Sequence, residues 1–159
     1  MMRQRIAHGP DKRRSDPPGC RESALAGVKV AARPSYAETI RERLVVDTEH
    51  AAPHIVDVEV FGVLRREHRR GRLDRTEANR AVEDLQAWPG ERFGHRLLLP
   101  RAWQLRDTVR GWDAMYVALA EALDAVLVTT DLRLATAPGP TCRIEAIDCR
   151  QRTGAQRIP

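Results

Sequence analysis

The run Gly111–Ala135, GWDAMYVALAEALDAVLVTTDLRLA, constrains the fold more than any other part of this chain. Its first half has helical period, with Met115, Ala118, Leu119, Ala122 and Leu123 forming an apolar stripe between Asp113 and Leu123. Asp113 stands at the expected N-cap, where its side-chain oxygen can accept a free backbone N–H. The second half, Ala125–Val128, is aliphatic without a polar break, the pattern of a strand covered on both faces. Thr129, Thr130 and Asp131 follow it. In an open α/β sheet, ligands bind beyond the carboxyl ends of the strands, and Asp131 lies there.

A second acidic element runs from His54 to Arg70, with Gly71 as a natural stop. Ile55, Val56, Val58, Val60, Phe61, Val63 and Leu64 make it apolar nearly all round, so it reads as a buried helix. Asp57 and Glu59 interrupt it. Two residues apart on a helix they diverge by about 200°, so one site cannot easily use both. Asp57, near the helix start, suits the dipole or an arginine partner. Glu59 is deeper, and a buried carboxylate needs a partner or a metal, so Glu59 is the site candidate. His50 and His54 are four apart, but Pro53 between them breaks any continuous helix and argues against a histidine metal site. The helix ends in Arg65, Arg66, Arg69 and Arg70, followed by Arg72 and Arg75. This cluster is either a solvated end complementing the dipole or a surface that tracks phosphates.

Ser35-Tyr36-Ala37-Glu38 fits a capping box and opens a helix over Tyr36–Leu44. Val45–Ala52 reads as an extended link. Asp74-Arg75-Thr76-Glu77 is another capping signature, for a helix to about Ala87 that stops at Pro89-Gly90. Arg92–Arg96 suggests a short strand, Leu98–Val109 a helix, Leu132–Ala135 a helical turn and Cys142–Ile147 a last strand. Trp103 reads as core or interface, and Trp112 and Tyr116 as packing. Residues 1–34 differ from the rest: basic, rich in proline and glycine, and expected to be disordered, although Ser23–Ala32 is apolar enough for a strand or a helix start. Residues 35–148 form the domain and 149–159 a frayed tail.

Hydrophobic residues make up 42% of the chain, too many for disorder throughout. No apolar run reaches the roughly 18 residues of a membrane span and no secretory signal is visible, so a cytoplasmic protein with no membrane partner is expected. Cys20, Cys142 and Cys149 have no metal-type spacing, and their odd number argues against a disulfide framework. The net charge of +5 is carried almost wholly by arginine, with only Lys12 and Lys29 as lysines, which is compatible with a nucleic-acid partner.

Four segments then carry a resemblance: APHIVDVEVFGVLRR, RGRLDRTEANRAVEDLQAW, LLLPRAWQLRDTV and WDAMYVALAEALDAVLVTTDLRLA. In this order and spacing they resemble PIN domains of the VapC toxin type, small metal-dependent ribonucleases, over roughly Tyr36 to Ile147. The resemblance implies an α/β, three-layer α/β/α fold with a short, mostly parallel central sheet. It sets Glu59, Asp113 and Asp131 on the family's second, third and fourth active-site acids. The first acid ends a short strand in a run like VVDAS. The best local match sets RESAL against D-A-S-A-L, with Arg21 on the missing aspartate and Glu22 beside it; Asp47 lies too close to Glu59 for an intervening strand and helix. The first strand is therefore expected to be degenerate, and an upstream frameshift or mis-set start would produce such an N-terminus.

Carboxylates from separate elements repel one another unless a cation neutralises them. Hard cations such as Mg²⁺ or Mn²⁺ take such oxygen ligands. The resemblance implies an endoribonuclease toxin using Glu59, Asp113 and Asp131 for catalysis and metal binding, impaired by the missing acid, with RNA as substrate, a VapB-type antitoxin as partner and a homodimeric assembly. The alternative is an inactive PIN-fold module that still dimerises or binds antitoxin. A DNA-binding helical protein is disfavoured, because no helix has a convincing base-reading composition.

Overall fold

The computed structural model describes residues 49–147 and the backbone of 24–26. Five short strands form one sheet: β1 (Ala24–Ala26), β2 (His50–Pro53), β3 (Glu91–Phe93), β4 (Val126–Thr129) and β5 (Ile144–Ala146). Their order is β3-β2-β1-β4-β5, and every pairing is parallel. The expected degenerate first strand is thus the middle of the sheet. Its three residues pair with β2 on one side and β4 on the other. It begins three residues after Arg21, so its carboxyl end falls after Ala26 and not at the position that RESAL would give.

The helices are α1 (Ile55–Arg69), α2 (Arg75–Ala87), α3 (Leu99–Gln104) and α4 (Gly111–Leu123), with 3₁₀ turns at His95–Leu97 and Leu134–Thr136. The chain steps outward from β2 to β3 through α1 and α2. It then returns across the sheet to β4 through α3 and α4. Right-handed crossovers place these two connections on opposite faces, which gives the three-layer α/β/α arrangement. The chain's α/β class is as the sequence indicated. The helix expected over Tyr36–Leu44, Asp47, and the segments 1–23 and 149–159 lie outside the described residues.

Several boundaries differ from expectation for identifiable reasons. The extended link before Pro53 is strand β2, since Ala51, Ala52 and Pro53 are buried between neighbours. Of the helix expected over Leu98–Val109 the six-residue α3 forms, with Pro100 at its start, and buried Leu105 and Val109 follow it in turns, not in helix. The α2 capping box is present: Asp74 accepts from the Glu77 N–H at 2.8 Å, and Glu77 accepts from the Asp74 N–H at 2.7 Å. Gly71, at φ 70°, ends α1 as anticipated.

Helix α4 is buried almost all round and not along one stripe: Ala114, Tyr116, Val117, Ala118, Leu119 and Ala120 are all in the core. They meet Val56, Val60 and Leu64 of α1 and Leu127 of β4 in a single apolar cluster. Trp103 is 69% exposed, with the Arg106 guanidinium 5.0 Å above its ring, so it is not a core residue. Among the described residues no helix is long and apolar enough to cross a membrane. Burial pushes the Cys142 thiol up to about 11, which leaves it unreactive near neutrality.

The α3–α4 corner is tied by Arg101, whose Nε and Nη2 donate to the Glu121 carboxylate at 2.6 and 2.9 Å. The Thr141 N–H adds a third bond to Glu121 at 2.7 Å. The guanidinium, followed by the Thr141 donors, holds the Glu121 carboxyl below the usual range despite its burial. A carboxyl whose folded value lies below its unfolded one stabilises the fold above the unfolded value, about 4.3, and loses that contribution as pH falls through the folded value. Melting temperature should therefore fall between pH 6 and pH 3 more steeply in the parent chain than in Glu121→Gln. Parallel curves for the two would show that the pair has no such role.

Candidate active site

Asp113 and Asp131 are brought together at the carboxyl edge of the sheet. Asp113 is in the first turn of α4, whose N-cap is Arg110, not Asp113 as the sequence suggested. It is still placed where negative charge suits the helix dipole. It is 8% exposed. Asp131 follows β4, which runs from Val126 to Thr129, one residue later than expected. Both line one cavity of about 190 Å³, together with Thr108, Val109, Arg110, Arg133, Leu134 and Ala137.

The loop after β4 is shaped by its own polar groups. The Asp131 N–H donates to Thr129 Oγ1 at 3.1 Å. The Asp131 carboxylate accepts from the Arg133 backbone N–H at 3.0 Å and from its guanidinium at 3.3 Å. Bonds from Asp131, with the Asp113 charge nearby, raise the Arg133 guanidinium further above its already high range. Arg133 therefore places a permanent cation against two acids.

Glu59 comes from the opposite connection and does not line this cavity. It is joined to the same helix by Tyr116, whose hydroxyl donates to Glu59 Oε2 at 2.7 Å. Burial first, and then the Glu59 acceptor, push the tyrosine hydroxyl well above its ordinary range, so it remains a donor throughout the physiological span. Asp113 and Tyr116 are three apart on α4 and thus neighbours on its surface. Among the described residues, no three His, Cys, Asp or Glu side chains are gathered closely enough to hold an ion. Asp57, as expected, is structural: the Arg92 Nε bridges both its oxygens at 2.9 and 3.0 Å. His50 and His54 belong to a strand and a turn, with His50 stacked on Trp88, so they form no paired site.

The sequence reading did not single out Arg110 or Arg133, and took Tyr116 as packing. Arg133, two residues beyond Asp131, carried a usable signal, since an acid at a strand end commonly bonds the next turn. The link between Tyr116 and Glu59, 57 positions apart, has no local signature.

The PIN-domain family model matches residues 26–140, most of the chain. The chain belongs to the PIN-domain family, in its VapC branch. It is 36% identical to Ribonuclease VapC1 of Mycobacterium tuberculosis over 129 residues, 80% of this chain and 97% of that protein. It is 44% identical to Ribonuclease VapC3 of the same organism over 115 residues, 72% of this chain and 83% of the relative. Ribonuclease VapC12, also from Mycobacterium tuberculosis, is 35% identical over 124 residues, 78% and 95% of the two chains. No Asp or Glu occurs from Gly27 to Ala37, immediately after the middle strand.

Proposed function

We propose that this chain is a metal-dependent endoribonuclease of the toxin class of type II toxin–antitoxin pairs, hydrolysing RNA phosphodiesters at reduced rate. The observation that carries the reading is the convergence of Asp113 and Asp131 on one cavity at the carboxyl edge of a parallel sheet. The ribonuclease names of the relatives support it. Two carboxylates with room for water suit a small hard cation, Mg²⁺ or Mn²⁺, which keeps several waters and shares its sites with substrate phosphates. Asp113 and Asp131 would hold it; Glu59, bonded to Tyr116 and outside the cavity, would be an outer acid of the same site. When bound, such an ion activates a water and neutralises charge on the phosphoryl oxygens.

The chain's own groups do the positioning. Arg110 and Arg133 line the cavity, and guanidinium forks match phosphate oxygens. The Thr129 hydroxyl and the Arg133 N–H hold Asp131 in one orientation. Buried Asp113 keeps its carboxylate out of bulk water, which strengthens its pull on a cation. The acid missing after β1 removes one donor from the centre of the site, so metal is held less tightly and turnover is slower.

That same gap favours a second reading, a PIN-fold module without turnover that still dimerises or binds a VapB-type antitoxin. Leu97, 89% exposed, with exposed Leu99 and Trp103, offers an apolar surface for a second copy. The purified chain is expected to give RNA fragments in Mg²⁺ or Mn²⁺ and none in EDTA. Cleavage that persists in EDTA, or is absent with every divalent cation, removes the nuclease reading. Light scattering should give twice the 17.9 kDa chain mass; a monomer at all concentrations removes the dimer.

A further inference from the structure

The outer face of α1 carries charge that the acid cavity does not use. Arg65, Arg66, Arg69 and Arg70 line an open depression of about 490 Å³ whose floor is Gly62. A Cβ added at Gly62 would meet nothing within 4 Å, so the space above it is clear. The four guanidiniums are not equivalent. Glu67, buried beneath them, pairs with Arg66, Arg70 and Arg72. One carboxylate is thereby shared among three cations. Among the described residues, Arg65 and Arg69 have no carboxylate partner. They stand four residues apart, where like charges on a helix repel. The helix dipole accounts for cations only within the last turn, and Arg65 lies before it. Two cations one turn apart, with no carboxylate partner among the described residues and an open floor below, make a site for an extended polyanion.

The same stripe continues along the outer face of α1. Phe61, Arg65 and Arg69 recur every four residues, with Val58 one turn earlier, and Phe61 and Val58 are 52% and 70% exposed. An exposed ring in line with guanidiniums is the combination that binds single strands: bases stack on the ring and phosphates meet the cations. Arg65 and Arg69 lie about 9 and 15 Å along the axis from Glu59, at 1.5 Å per residue. Neither arginine lines the cavity of Asp113 and Asp131, so the face would meet a part of the strand other than the cleaved bond.

We propose that Phe61, Arg65 and Arg69 form a secondary binding track for single-stranded RNA, gripping the strand's backbone several nucleotides from the cleaved bond. This rests on the ribonuclease reading for its ligand. Long RNA is held at two places and short RNA at one, so the track acts on affinity and not on chemistry.

The test is fluorescence anisotropy on the full chain in EDTA, where the strand stays intact, using labelled single-stranded RNA of about 12 nucleotides and of about 4. Arg65→Ala/Arg69→Ala should weaken the longer strand by tenfold or more and change the shorter one little. Its dependence of log affinity on log salt should be shallower by about 1.4, the loss of two phosphate contacts at about 0.7 each. Arg65→Lys/Arg69→Lys should retain most of the slope, and circular dichroism melts should be unchanged. Equal affinity and slope for parent and alanine variant overturn the track, as would equal weakening of both strand lengths. In either case the face is left for a protein partner, and metal-dependent cleavage can still stand. Cleavage lost with the slope change intact overturns the nuclease reading alone.

Discussion

Asp113→Asn should lower metal-dependent RNA cleavage by about a thousandfold while leaving the fold intact. An active-site cation contributes several kcal/mol to the transition state of phosphoryl transfer. Losing about 4 kcal/mol of it corresponds to roughly three decades at 1.36 kcal/mol each. Asp113 is the right residue to lose, because it is buried, faces the cavity and shares it with Asp131. The cost to stability is small, about 0.3–1 kcal/mol for one charge removed from a helix N-terminus. Single-turnover cleavage and a thermal melt, run on the same preparation, separate the two effects. A variant that cleaves as fast as the parent would place the chemistry elsewhere. A variant that no longer folds would make Asp113 a structural residue.

Leu119→Ala is the substitution with the largest expected effect on stability. Leu119 is 1% exposed and among the largest fully buried side chains, on a helix packed against the sheet. Truncation removes its transfer free energy and leaves a void that close-packed neighbours cannot fill, for about 3–4 kcal/mol. A domain of this kind is stable by only about 5–15 kcal/mol. The melting temperature should fall by roughly 10 °C. Urea unfolding with an unchanged slope and a lower midpoint is the confirming signature; a midpoint within error of the parent would mean the core relaxes around the gap.

Local periodicity made much of this molecule readable. The α4–β4 unit, the Asp74 capping box and the Gly71 stop each carry their signal within a few residues. What the sequence concealed depends on distant partners. The strand Ala24–Ala26 is too short to show a period, and its place at the sheet centre comes only from pairing with β2 and β4. Asp113 was misplaced by two or three residues at the helix start, because Arg110 and Gly111 lack the side-chain oxygen that marks an N-cap. Of the three acids read as a site, Asp113 and Asp131 share a cavity, whereas Glu59 lies outside it and is bonded to Tyr116. Whether a helix residue faces a cavity or its flank depends on the tilt of neighbouring elements, which residue spacing does not encode.

The middle strand has a consequence for synthesis. Leu25 is matched to Leu127, about a hundred positions further along the chain. A ribosome adding roughly 5–20 residues per second leaves that early segment waiting on the order of 5–20 s for its second neighbour. Both carboxylates of the cavity arrive late, on either side of β4, the strand that covers the second side of β1. The nascent polypeptide therefore exposes an unfinished edge for most of its translation, and any hydrolytic capacity is born late and all at once.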